Sequence, residues 1–82
     1  SQAELAEREF TSTAGGGAVE VVINGNKEIT KLNIDKDVVD PDDVEMLQDL
    51  LIAAVNEGMR QVDTVVEQEM SKITGGLGIP GL

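Results

Sequence analysis

Six carboxylates crowd one short stretch of the chain: Asp35, Asp37, Asp40, Asp42, Asp43 and Glu45. Carboxylate oxygens ligate calcium and magnesium, and a pair of them can work as general acid and base. The spacing excludes a calcium loop. Counted from Asp35, the sixth position is Asp40 where the loop needs Gly, and the twelfth is Met46 where it needs a bidentate Glu. Acids at and just inside a helix start satisfy its free N–H groups and complement its dipole, and that is the role the pattern supports. Nothing in the sequence predicts a concave, water-excluding pocket around them, so glycosidase-type chemistry is not expected. The chain has no His and no Cys, which removes the commonest general base, the commonest zinc ligands and any disulfide. The expectation is a protein that is not an enzyme, with no catalytic residue, no metal, no cofactor and no small-molecule substrate.

Two glycine clusters could in principle cradle phosphate. Phosphate-binding glycines work by presenting a helix N-terminus, yet Gly15-Gly16-Gly17 is followed by a strand pattern, so it reads as a turn or bulge. Gly75-Gly76-Leu77-Gly78 sits at a helix C-terminus, where carbonyls repel anions, and reads as a cap leading into a Gly-rich tail over residues 75–82. That tail carries Leu77, Ile79 and Leu82, which either dock on a partner or stay without regular structure. The basic residues are scattered as Arg8, then Lys27, Lys31 and Lys36, then Arg60 and Lys72, and most read as salt-bridge partners on solvated faces, Arg60 with Glu57 among them. Acids outnumber bases 16 to 6, a formal charge of −10, so any contact with nucleic acid must be local. Phe10 is the one aromatic residue, which leaves no stacking platform for single-stranded nucleic acid.

The elements that must position these groups follow from pattern. With 82 residues the chain is a single domain, 1–82, or part of one. Residues 2–9 are strong helix formers and read as the end of a helix. Residues 10–14 are Thr-rich and read as a short strand. Residues 18–23 put Val19, Val21 and Ile23 on one face, a half-buried strand, and residues 29–34 alternate Thr30, Leu32 and Ile34 against Lys31, Asn33 and Asp35. Asn24-Gly25-Asn26 between them predicts an antiparallel hairpin whose two central turn residues are either Asn24-Gly25 or Gly25-Asn26. Asp40-Pro41-Asp42-Asp43 combines an N-cap acid, a first-turn Pro and two further acids, and predicts a helix starting there and running about 33 residues, roughly 50 Å at 1.5 Å per residue. Val44, Leu47, Leu51, Ala54, Gly58, Val62, Val65 and Ile73 form one apolar stripe along it. Gly58 inside that helix calls for a reason such as the close approach of another backbone.

The run Leu50-Leu51-Ile52-Ala53-Ala54-Val55 advances about 600° around a helix and points in every direction, so it needs cover on more than one side. A three-stranded sheet supplies one layer, and a second copy of the chain is the simplest source of the other. This apolar run is far short of the roughly 18 residues that span a bilayer, and no signal-peptide pattern is present. A soluble cytoplasmic protein with no membrane partner is the expectation.

The order of strand, Gly-Gly-Gly, strand, Asn-Gly turn, strand, Asp-Pro-Asp-Asp helix and Gly-Gly-Leu-Gly-Ile-Pro-Gly-Leu tail resembles the YbaB/EbfC family of bacterial nucleoid-associated proteins. Its most specific parts are Val39-Asp40-Pro41-Asp42-Asp43-Val44-Glu45-Met46-Leu47, Leu51-Ile52-Ala53-Ala54-Val55-Asn56 and Thr74-Gly75-Gly76-Leu77. The resemblance implies an α+β fold of helix, three-stranded antiparallel sheet and long C-terminal helix, with the sheet extended across a homodimer and helices projecting as arms. It also implies binding of double-stranded DNA in the nucleoid with low sequence specificity, affecting nucleoid organisation and gene expression. Family members usually carry an N-terminal stretch rich in Met, Gln and Lys that extends the first helix, and this sequence lacks it. On the helices that would form the arms, Arg8, Arg60 and Lys72 are the expected phosphate contacts. The expected dimer interface is Val19, Val21, Leu50, Leu51, Ile52, Ala54, Val55, Gly58, Met59 and Val62. The composition by itself favours a different reading, an acidic dimeric scaffold that binds proteins and not DNA.

Overall fold

A computed structural model describes residues 2–75. The elements run α1 (Gln2–Glu7), β1 (Glu9–Ala14), β2 (Val19–Asn24), β3 (Ile29–Ile34), a short 3-10 turn (Lys36–Val38) and α2 (Val44–Gly75). The three strands form one antiparallel sheet in the order β1-β2-β3, and α2 lies across β1 and β2. This is the expected α+β fold. The Gly-rich tail falls outside the described residues apart from Gly75, which closes α2.

The alternation read in residues 18–23 is the basis of the core. Val19, Val21 and Ile23 are fully buried beneath α2, together with Phe10 from β1 and Ala54 and Val62 from the helix. Ser12 shares the inward face of β1, and its hydroxyl donates to the Ala54 carbonyl, so the one buried polar side chain among the described residues is satisfied. Gly58 lies directly over this spot. A Cβ there would meet Ile23 Cδ1 at 2.5 Å and Ser12 Oγ at 3.1 Å, so the close approach anticipated at Gly58 is made by the sheet's own side chains.

The β1–β2 connection needs all three glycines of its run, whose φ angles are 64°, 69° and 95°, a sequence of left-handed residues that side chains rarely tolerate. The β2–β3 hairpin resolves the two register options. The Lys27 amide donates to the Asn24 carbonyl at 2.9 Å, which makes Gly25 and Asn26 the central turn residues. The positive φ falls on Lys27, at 62°, as expected where a turn is followed by a left-handed bulge residue. Asn24 Oδ1 accepts from the amides of Asn26 and Glu28, and Lys27 forms an ion pair with Asp63 that ties the turn to α2.

The start of α2 is shifted from the expected position. Asp40 Oδ1 accepts from the Asp42 amide at 2.9 Å and its carbonyl from the Asp43 amide at 2.9 Å, so Asp40-Pro41-Asp42-Asp43 folds as a turn. The cap is Asp43, whose carboxylate accepts from the Met46 amide at 3.2 Å, and Val44 is the first helical residue. Either aspartate is a preferred cap type, and the local side-chain bond of Asp40 wins the competition for the upstream residues. Upstream of the 3-10 turn, Asp35 caps in the same way, accepting from the Asp37 amide at 3.0 Å. Three of the six acids, Asp35, Asp40 and Asp43, thus accept from backbone amides.

α2 has 32 residues, or about 48 Å at 1.5 Å per residue, whereas a six-residue strand spans about 20 Å. The helix therefore overhangs its sheet. The Cα radius of gyration is 16.5 Å against about 12 Å for a compact chain of this length, and the longest dimension is 56 Å.

Candidate nucleic-acid interface

α1 ends in a hydrogen-bonded junction, with the Arg8 amide donating to the carbonyls of Glu4 at 3.0 Å and Leu5 at 3.2 Å. The Gly25 amide donates to the Ala6 carbonyl at 3.0 Å, so the hairpin turn fixes the direction of α1. A Cβ on Gly25 would run into the Leu5 carbonyl, which makes glycine necessary for this backbone-to-backbone approach. Arg8 is thereby held at the start of β1, with its guanidinium carbon 5.3 Å from the centroid of the Phe10 ring. A guanidinium over an aromatic face is attracted by the ring's quadrupole, and the planar group is oriented by it.

On α2, Glu57, Arg60, Gln61 and Thr64 recur at spacings of three, one and three, which places them on one face of the helix. Packing of α2 against β1 brings that face beside Arg8. The result is an open cleft of about 490 Å³ lined by Arg8, Phe10, Glu57, Arg60, Gln61, Thr64 and Val65. Phe10 and Val65 form its apolar floor, Gln61 Nε2 donates to the Thr11 carbonyl at 3.3 Å, and Arg60 lies 3.6 Å from Glu57. Two guanidiniums face one carboxylate here. The cleft is locally cationic in a chain of formal charge −10, and its chemistry suits an anion with several acceptor oxygens. A second depression, of about 190 Å³, is lined by Glu4, Leu5, Arg8 and Glu69, so Arg8 is flanked by acids on its other side.

Of the three expected phosphate contacts, Arg8 and Arg60 are brought together. Lys72 is not part of the cleft; it lies further along α2, exposed, and pairs with Glu69 at 3.1 Å. The sequence pattern did not single out Gln61 and Thr64 as cleft residues. Their spacing from Arg60 was a usable signal, but the position of Arg8 depends on tertiary packing.

The residues expected at a dimer interface divide into two groups. Val19, Val21, Ala54, Gly58 and Val62 are buried within the single chain, packed between its own helix and sheet. Leu50, Leu51, Val55 and Met59 are half-buried, and Ile52 is 57% exposed. β3 adds a row absent from the expected interface. All six of its residues are exposed, including Ile29, Leu32 and Ile34. In the register Ile34 faces Val19 and Leu32 faces Val21, and an irregularity at Val22/Ile23 sets Ile29, in place of Thr30, opposite Ile23. These three therefore share the core face of the sheet, beyond the edge of the covering helix.

The fold and this cleft define a small α+β domain with an arginine-lined groove and an uncovered apolar sheet edge. The model of the YbaB/EbfC DNA-binding family matches residues 1–77, and the chain belongs to that family. A nucleoid-associated protein of Acetivibrio thermocellus is 61% identical over 82 residues, covering 99% of this chain and 73% of that protein. One from Clostridium novyi is 58% identical over 81 residues, covering 99% of this chain and 71% of its own length. The crystal structure of an uncharacterized protein from Helicobacter pylori superposes with a TM-score of 0.78 at 29% identity, covering 88% of this chain and 83% of that one. Among the described residues, no helix is long and apolar enough to cross a membrane.

Proposed function

We propose that the protein is a noncatalytic homodimer that binds double-stranded DNA of the bacterial nucleoid by its phosphates, with low sequence specificity, and so affects nucleoid organisation and gene expression. The observation that carries this reading is the cleft that joins Arg8 to Arg60 in a member of a DNA-binding family. Phosphate contacts fix position on a duplex without reading its sequence. Phe10, the one aromatic side chain, is 6% exposed and lies beneath Arg8, so it offers no ring for stacking on bases. Lys72 would add a contact further out on the same arm.

The dimer is supported by the row of exposed apolar residues Ile29, Leu32 and Ile34 on one face of β3, since an exposed apolar surface of this kind marks an interaction site. Pairing of two β3 edges would extend the sheet across the interface and set two pairs of helices apart as arms, in reach of one duplex. A dimer doubles the phosphate contacts, which lets local attraction prevail over the repulsion of an acidic surface at moderate salt. A mobility-shift titration of the full chain on unrelated short duplexes tests this: the expected result is a shift at low salt with similar affinity for each. No shift at low salt would sink the proposal.

The formal charge of −10 favours one other reading, an acidic scaffold for protein partners. It expects capture of a partner that survives nuclease treatment and is abolished by deletion of residues 77–82.

A further inference from the structure

The cleft contains its own anion. Glu57 lines it, stands one helical turn before Arg60, and sits 3.6 Å from the Arg60 guanidinium. The pair is unequal in exposure: the Arg60 side chain is 68% accessible and that of Glu57 is 43%. Arg60 is therefore open to a ligand arriving from solvent, while the carboxylate is partly tucked into the groove. We propose that Glu57 is an internal competitor for phosphate, so that a backbone phosphate of duplex DNA engages Arg60 only by displacing the Glu57 carboxylate from it. This deepens the phosphate-binding reading above and rests on it.

The chemistry favours exchange in place of a permanent ion pair. An exposed carboxylate–arginine pair at i,i+3 spacing is weak, because water and salt screen it and both side chains lose rotamer freedom. A backbone phosphate, like a carboxylate, presents two charged oxygens to the planar guanidinium and can accept two parallel hydrogen bonds, so it can replace the Glu57 carboxylate one for one. Displacement leaves Glu57 beside the bound phosphate, and that like-charge repulsion lowers affinity in proportion to how close the carboxylate stays. The other acids near the cleft, Glu4 and Glu69, line the depression on the far side of Arg8 and do not line the groove that holds Arg60. Glu57 is thus the acid of the cleft that competes directly for Arg60.

The test compares Glu57→Gln with Glu67→Gln, which makes the same change of charge on an exposed position of α2 outside the cleft. Affinity for a short duplex is read by fluorescence anisotropy, with thermal melts to confirm that each variant folds. E57Q is expected to tighten binding about tenfold, well beyond the effect of E67Q, and to forfeit most of that gain when Arg60 is also Gln. Titration with inorganic phosphate, followed on the Arg60 side-chain resonance, should show a lower apparent Kd in E57Q than in the native protein. Equal gains from E57Q and E67Q, or a gain that persists with R60Q, would overturn the inference while leaving DNA binding intact. Absence of duplex binding by the native protein removes the DNA-binding reading and this inference with it, whatever the phosphate titration shows.

Discussion

Leu32→Glu is expected to convert the proposed dimer to monomers at concentrations where the native protein is fully paired. Leu32 is 45% exposed in the single chain and lies between Ile29 and Ile34, which are 48% and 37% exposed. The protomer's own core does not depend on it, because Val21 opposite is already fully buried under α2. Burying a Leu side chain contributes about 1.5–3 kcal/mol, and a carboxylate left unpaired in an apolar interface costs several more. In a symmetric pair each substitution counts twice, so the dissociation constant should rise by at least about three orders of magnitude. Sedimentation velocity on dilute native and variant protein checks this. A variant that sediments as the native protein does would show that β3 is not the joining edge. In the proposed mode of binding both arms depend on pairing, so the same variant should also hold duplex far more weakly.

The second large effect is expected inside the protomer, at Gly58. Replacement by Leu should lower stability by about 3 kcal/mol, at the upper end of the range for overpacking a filled core. The geometry leaves no easy relief: Ile23, which a Cβ would meet at 2.5 Å, is fully buried, and Ser12 Oγ at 3.1 Å is held by its bond to the Ala54 carbonyl. Gly58→Ala is a milder case, where the helix-propensity gain of about 1 kcal/mol offsets part of the collision, and a net destabilisation of about 1 kcal/mol is expected. Urea unfolding at one fixed protein concentration measures both, since pairing of the kind proposed makes stability depend on concentration. A midpoint for Gly58→Leu equal to the native value would contradict the packing described.

These two sites mark the boundary of what is legible in the sequence. The period-two pattern of Val19, Val21 and Ile23 identifies a core strand directly, because burial on one face of a strand leaves that signature. Residues 29–34 are likewise bounded correctly as a strand, although the row they expose is not recognisable from pattern: alternation does not reveal whether a helix extends far enough to cover it. The helix start moves from Asp40 to Asp43 because both aspartates are good caps, and the choice rests on which side chain satisfies which amide. The positive φ at Lys27 is hidden for a related reason, since the neighbouring Asn and Gly are the stronger candidates by propensity. The cleft itself is half legible. Glu57, Arg60, Gln61 and Thr64 announce a shared helix face, whereas Arg8 joins them only through the packing of α2 on β1 and the Gly25–Ala6 hydrogen bond that orients α1.

The proposed DNA binding rests on Arg8 and Arg60, and the most direct measurement is duplex affinity of the native protein and of the R8Q/R60Q variant across a series of salt concentrations. For the native protein, log affinity should fall steeply with log salt. The variant should bind more weakly and with a shallower slope, by about 0.9 for each phosphate it no longer neutralises. Identical affinity and slope in the folded variant would contradict phosphate binding by this cleft, because the DNA would then be held by some other surface of the molecule.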